Sequence, residues 1–177
     1  MNVLKTSLLA TALVVAGVSS AHAATTTTSF QVTANVSGKC LTASATALAF
    51  GAYDPVGANA SAALDQTNTI SVRCTKGTTA TVTLDDGVNQ TTGSTDAVPL
   101  RRMVHGTDTT AFLAYELYSD SGRTQTWGNT AATGKGFTHA LLASQATVLT
   151  VYGRVPGGQA DAIVGNYSDT VAVTVTF

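Results

Sequence analysis

The most regular feature of this chain is a strict alternation of apolar and polar residues, repeated in several short stretches. Phe30, Val32, Ala34 and Val36 alternate with Gln31, Thr33 and Asn35. Ile70, Val72 and Cys74 alternate with Thr69, Ser71 and Arg73, and Ala80, Val82 and Leu84 with Thr79, Thr81 and Thr83. Leu113, Tyr115 and Leu117 make a further row, and Val171, Val173, Val175 and Phe177 alternate with Thr170, Ala172, Thr174 and Thr176. A period of two puts one set on one face of a pleated strand, so each stretch predicts a half-buried β-strand. Valine and threonine dominate these rows, and their stiff, branched side chains suit a pleated surface better than a helix. Turn-forming groups separate them: Asp54-Pro55, Asp85-Asp86-Gly87, Asp120-Ser121-Gly122 and Pro156-Gly157-Gly158. About seven short strands at this spacing predict an all-β sandwich or small barrel. No segment carries a helical period; residues 58–64 read as loop or one helical turn. Neither a repeat nor a linker divides the chain, which reads as one domain behind a leader.

The leader changes the picture of where this domain works. Lys5 precedes an apolar run over residues 8–18, and Ala21-His22-Ala23 follows, a small-x-small pattern that signal peptidases cut. The run is about half of the ~20 residues needed to span a bilayer, so residues 1–23 are predicted to be a cleaved signal peptide. Removing 23 of the 177 residues leaves 154, enough for one domain with a core. Lys5 departs with the leader, so 8 basic and 10 acidic residues remain and the net charge is −2. With no basic patch or charge run, nucleic acid and anionic membrane are poor partners. Cys40 and Cys74 both lie in the exported part. An even pair in an oxidising compartment predicts a disulfide, and metal binding is disfavoured because neither cysteine has a CxxC partner or a nearby histidine.

Catalytic chemistry is hard to build from what remains. Beyond the leader the histidines are His105 and His139, both read as solvated loop residues. The sequence has no G-x-S-x-G elbow and no cluster with metal-ligand spacing, so neither a metal nor a cofactor is expected. Asp85-Asp86-Gly87 lacks the remaining ligands of a calcium loop and reads as a turn. Arg101-Arg102 is too short to predict nucleic-acid contact. Trp127 is a candidate sugar-stacking aromatic.

The two ends are the unusual feature. The row at residues 30–36 follows the predicted cleavage site closely, behind the uncharged leader Thr25-Thr26-Thr27-Thr28, and the chain ends on a strong row at Phe177. Sheets usually protect their edges with charge, proline or bulges. These ends carry none of that protection, so they either pair within the domain or pair with a neighbouring chain.

A family resemblance bears on that choice. Leu113-Ala114-Tyr115-Glu116-Leu117-Tyr118-Ser119-Asp120, then Arg123-Thr124 and Thr126-Trp127-Gly128, resembles the central signature of the spore coat protein U domain. Val151-Tyr152-Gly153-Arg154-Val155-Pro156 is similar to a second block. Gly165-Asn166-Tyr167-Ser168-Asp169-Thr170-Val171, running on to Phe177, is similar to a third. Gly38-Lys39-Cys40 and Val72-Arg73-Cys74 fit the family's cysteine pair. That family includes subunits of archaic, Csu-type chaperone–usher pili. The resemblance implies an incomplete immunoglobulin-like β-sandwich that lacks its last strand. A periplasmic chaperone fills the gap during export, and at the outer-membrane usher the N-terminal arm of the next subunit replaces it, a form of β-strand addition. On this reading residues 24–36 are the donor arm, with Phe30, Val32, Ala34 and Val36 as its plugs. Residues 37–177 are the acceptor domain, with Val171, Val173, Val175 and Phe177 along its groove. The expected role is a non-catalytic pilus subunit at the cell surface, supporting adhesion or biofilm, with a chaperone, an usher and further subunits as partners. A monomeric, secreted carbohydrate- or surface-binding sandwich is the alternative, and a secreted enzyme on the same scaffold ranks last.

Overall fold

The computed structural model describes residues 23–177, so the predicted signal peptide, except Ala23, lies outside the described residues. The chain divides into two compact units, Met1–Asn35 and Val36–Phe177. In the first, the described residues 23–35 form neither helix nor strand, and their side chains are exposed. The alternation at residues 30–36 therefore does not produce a strand in the single chain. The physical reason is that a strand exists only by its ladder, and these residues have no ladder partner among those described.

The second unit is all-β. Its strands are β1 (Cys40–Ala45), β2 (Leu64–Cys74), β3 (Thr79–Leu84), β4 (Arg102–His105), β5 (Phe112–Ala114), β6 (Glu116–Tyr118), β7 (Lys135–Thr138), β8 (Thr147–Val155), β9 (Tyr167–Ser168) and β10 (Val173–Thr176). A single 3-10 turn at Ala58–Ala60 is the one helical element among the described residues. No helix among them is long and apolar enough to cross a membrane. Three antiparallel sheets result, ordered β1-β2-β8-β6, β10-β3-β7 and β5-β4-β9.

The alternating rows make the core. Ile70, Val72 and Cys74 of β2 are buried, as are Ala80, Val82 and Leu84 of β3 and Leu149, Val151 and Val155 of β8. Each such valine or leucine contributes about 1.5–3 kcal/mol by leaving water. Trp127 is fully buried among them, and its Nε1–H donates to the Val82 carbonyl at 2.8 Å. The row Leu113, Tyr115, Leu117 points inward along its whole length but does not belong to one strand. β5 pairs with β4 and β6 with β8, so the chain crosses between sheets at Tyr115. Ahead of the C-terminal row the chain changes sheets again: β9 pairs with β4, β10 with β3.

Cys40 and Cys74 are directly opposed in the β1–β2 ladder and form a disulfide. Beside it the Thr75 N–H donates to the Lys39 carbonyl at 2.8 Å and the Thr75 hydroxyl to the Ser37 carbonyl at 3.3 Å. The closed loop spans 34 residues. Replacing both cysteines by serine is expected to lower unfolding stability by about 3–4 kcal/mol. A urea titration of the oxidised protein against the double variant measures it; equal midpoints would contradict the expectation.

Both histidines correct the sequence reading, which placed them in solvent. His139 is completely buried, with ring nitrogens on the Thr147 hydroxyl at 2.8 Å and the Leu142 carbonyl at 3.3 Å. His105 is also buried; its Nδ1 accepts from the N–H groups of Thr107 and Asp108, which leaves Nε2–H to donate to the Val164 carbonyl at 3.2 Å. Fully bonded imidazoles fill interior positions at little cost, and a sequence of polar neighbours does not reveal that. Among the described residues no group of histidine, cysteine and acidic side chains is arranged to hold a metal.

Candidate functional site

The site is a groove between two edges that no strand covers. β1 and β10 are each the last strand of their sheet. After β1 the chain runs on as residues 46–53, which form no strand and make no backbone–backbone hydrogen bond among the described residues. Their side chains nonetheless turn inward: Leu48, Phe50 and Tyr53 pack against the core. The Tyr53 hydroxyl donates to the Pro156 carbonyl at 3.0 Å and accepts from the Gln159 N–H at 3.1 Å. Gly153 makes the close approach possible, because a Cβ there would lie 2.5 Å from Leu48 and 2.9 Å from Phe50. One wall of the groove is thus a stretch of backbone anchored by side chains, with no ladder of its own; its Thr46 carbonyl accepts from Asn68 Nδ2.

The opposite wall is built from residues 162–173 and β10. Pairing of β10 with β3 uses one edge of that strand, so alternate N–H and C=O groups on its other edge are left without a ladder. Gly165 stands on this wall at φ +152°, in the region glycine favours. A Cβ there would fall 1.9 Å from His105 Nε2, so both conformation and space require glycine.

Between the walls lie two adjoining cavities of about 470 and 810 Å³, which share Leu48, Phe50, Met103 and Tyr167. Ile70, Val151, Val171 and Val173 complete the apolar floor of the smaller one. Tyr53, Leu113, Val155, Ala162 and Val164 contribute to the larger. Asp169 is the one acidic side chain in either lining, and it is occupied: its Oδ2 accepts from the Tyr115 hydroxyl at 2.6 Å. Burial, reinforced by that hydrogen bond to Asp169, pushes the Tyr115 phenol far above its ordinary range, so it stays a neutral donor. Charge gathers instead on the other face of the four-stranded sheet. There Arg154 Nε and Nη2 donate to the two oxygens of Asp65 at 2.7 and 2.8 Å and hold that carboxyl below the usual carboxylate range. An apolar trough flanked by two backbone edges without ladder partners is suited to bind an extended peptide.

Of the residues singled out from the sequence, Val171 and Val173 line the smaller cavity and Val175 packs against the core. Phe177 lines neither cavity and is 59% exposed. Phe30, Val32 and Val36 are 86%, 82% and 79% exposed, and Ala34 is exposed as well. The sequence reading missed the whole 46–53 wall, together with Met103 and Asp169. Leu48 and Phe50 do alternate, but Ala45, Ala47 and Ala49 fill the other phase with apolar residues and blur the period.

Comparison with known proteins is consistent with this geometry. The model of the Spore Coat Protein U domain matches residues 26–174. The chain is 43% identical over 184 residues to "Protein U" of Myxococcus xanthus, across the full length of both. Among solved structures it is similar to a chain in the CsuC–CsuE chaperone–tip adhesion subunit pre-assembly complex from the archaic chaperone–usher Csu pili of Acinetobacter baumannii. The TM-score is 0.53 at 19% identity, covering 80% of this chain and 40% of that one. The present chain therefore spans well under half of that neighbour, and the likeness is one of fold: an all-β, open-sheeted, immunoglobulin-like sandwich.

Proposed function

We propose that this chain, which belongs to the Spore Coat Protein U domain family, is a structural subunit of a chaperone–usher fibre, joined to its neighbours by strand donation. The observation that carries this reading is the uncovered groove between residues 46–53 and β10, in a chain whose own N-terminal segment alternates as a strand must to fill it. A donor strand laid there supplies both missing components, ladder hydrogen bonds for the two backbone edges and apolar plugs for the cavities. Phe30, Val32, Ala34 and Val36 are the plugs, and Val171, Val173 and Val175 stand on the receiving wall. Full burial of a phenylalanine or valine is worth about 1.5–3 kcal/mol, so four plugs yield several kcal/mol after the cost of ordering the arm.

The occupant of the groove in the finished fibre is the arm of another copy or of a related subunit. Before assembly the same groove is the place for a periplasmic chaperone's strand, with an outer-membrane usher catalysing the exchange. The fold neighbour was solved as a chaperone–subunit complex, which supports the first of these partners. Export through the periplasm to the cell surface follows from that route, and attachment to surfaces or biofilm is the role such a fibre serves. The family's description as a spore coat domain favours one variation, a subunit laid down in a surface coat by the same joint.

A labelled synthetic peptide of residues 25–37 tests the reading on the purified chain. The peptide is expected to bind with one-to-one stoichiometry, to slow amide exchange in β10, and to stop growth of multimers by capping the groove. A chain that remains monomeric and takes up no peptide is instead the self-contained binding module.

A further inference from the structure

Strand pairing lapses in the groove wall at its most important point. β9 ends at Ser168 and β10 begins at Val173, so no ladder fixes residues 169–172, although Val171 and Val173 line the groove. Backbone and side-chain bonds from the segment 85–89 and from Tyr115, behind the wall, hold it instead; among the backbone bonds, the Val88 N–H donates to the Thr170 carbonyl at 3.2 Å. Asp85 grips Ala172 twice: its N–H donates to the Ala172 carbonyl at 3.1 Å, and its Oδ1 accepts from the Ala172 N–H at 2.9 Å. The same oxygen accepts from the Gly87 N–H at 3.1 Å. Asp169 is held three ways, by the Tyr115 hydroxyl at 2.6 Å, Asn89 Nδ2 at 2.8 Å and the Val88 N–H at 3.2 Å.

Arg101 fixes this arrangement to the core. It is 2% exposed, and no carboxylate lies within ion-pair distance of it among the described residues. Its guanidinium serves backbone carbonyls: Nε donates to Asp85 at 2.8 Å, and Nη2 to Leu84 at 3.1 Å and to Trp127 at 2.8 Å. Leu84 and Trp127 are themselves buried, so the cation ties Asp85 to the core of the domain. A buried cation without a counter-ion is costly, which makes so specific a set of bonds informative about what the site must hold.

We propose that Arg101, Asp85, Tyr115 and Asp169 form a latch of positioning residues that keeps the empty groove wall in its strand-accepting geometry. This rests on the donor-strand reading above and adds the means by which an unfilled subunit stays competent. If the wall had to be ordered at each capture, apparent affinity would fall by the fraction of time the wall spends in place. The latch removes that loss, so its removal acts on capture more than on the filled, ladder-supported state.

The test compares Asp85→Ala, Asp85→Asn and Tyr115→Phe with the wild type in two measurements. The first is exchange of the Ala172 amide in the chain without peptide; the second is affinity and association rate for the 25–37 peptide. Asp85→Ala and Tyr115→Phe are expected to accelerate Ala172 exchange and to weaken peptide binding about tenfold, mainly through slower association. Asp85→Asn keeps the Oδ1 acceptor and is expected to recover most of both. Unchanged exchange at Ala172 in Asp85→Ala overturns the latch, whatever the peptide does. So does unchanged affinity accompanied by equal loss of stability in the empty and peptide-filled forms, the signature of a merely structural contact. A wild-type chain that takes no peptide brings down the donor-strand reading, a result distinct from either of these.

Discussion

Deleting residues 25–36 is expected to leave a domain that folds with its disulfide and accepts a donor strand but forms no head-to-tail multimers. The predicted plugs all lie within the deleted segment, and the acceptor side, residues 46–53 and 162–177, lies outside it. Each tenfold change in affinity corresponds to about 1.4 kcal/mol, so losing four buried apolar side chains removes any practical association. Native mass spectrometry of the wild type should show multiples of the subunit mass, and of the deletion the single mass, raised by one peptide when the 25–37 peptide is supplied. Val32→Asp should fall between the two, because it sets one charge into the apolar floor while leaving the ladder intact. A deletion variant that assembles as the wild type does would refute strand donation. One that merely loses stability, with no multimers in either form, would mark the arm as an ordinary part of a monomeric module.

Trp127→Ala is expected to have the largest effect on folding of any single substitution. The indole is fully buried, so truncation removes its contacts and opens a cavity, at about 3–5 kcal/mol. Against a typical total of about 5–15 kcal/mol, and in a domain that lacks a strand, this is close to outright unfolding. Trp127→Phe separates the packing from the hydrogen bond. It keeps an aromatic ring but deprives the buried Val82 carbonyl of its Nε1–H donor, for about 1–3 kcal/mol. Val82 is in β3 opposite Val175, so the same change loosens the strand on which β10 rests. Urea unfolding of the peptide-filled forms gives both numbers. An unchanged midpoint in Trp127→Ala would return this residue to the surface and revive its reading as a sugar-stacking aromatic.

The parts of the fold legible in the sequence are those where one side chain period coincides with one strand. β2 and β3 are of this kind, since each buries the set of residues its alternation predicts, and β10 follows in part, with Val173 and Val175 half-buried. The long row ending at Leu117 shows the limit of that inference. Its inward faces are as expected, but hydrogen-bond partners are chosen by what lies beside the chain in space, and the sheet change at Tyr115 leaves no mark on the period. β4 and β7 escaped notice because four residues such as Arg102–His105 or Lys135–Thr138 are too few to establish alternation. Half of the groove was legible in the same way, from Val171 and Val173. The other half rests on Leu48 and Phe50, whose segment forms no strand, and on Gly153, whose contribution is an empty space. Arg101 was hidden most thoroughly: beside Arg102 it reads as surface charge, and only the three carbonyls converging on it show otherwise.

The Cys40–Cys74 bridge has a mechanical consequence if the arm carries load. Tension applied through the arm reaches the domain at Lys39, one residue before the bridge. Were β1 held by hydrogen bonds alone, the pull would unzip it rung by rung, starting from the pair opposite Cys74. The disulfide instead carries the force past β1 and into β2, an eleven-residue strand registered with β8 over nine pairs. The root of the arm is thereby made inextensible, and a thiol reductant would convert β1 from a shielded strand into the first length of chain to pay out.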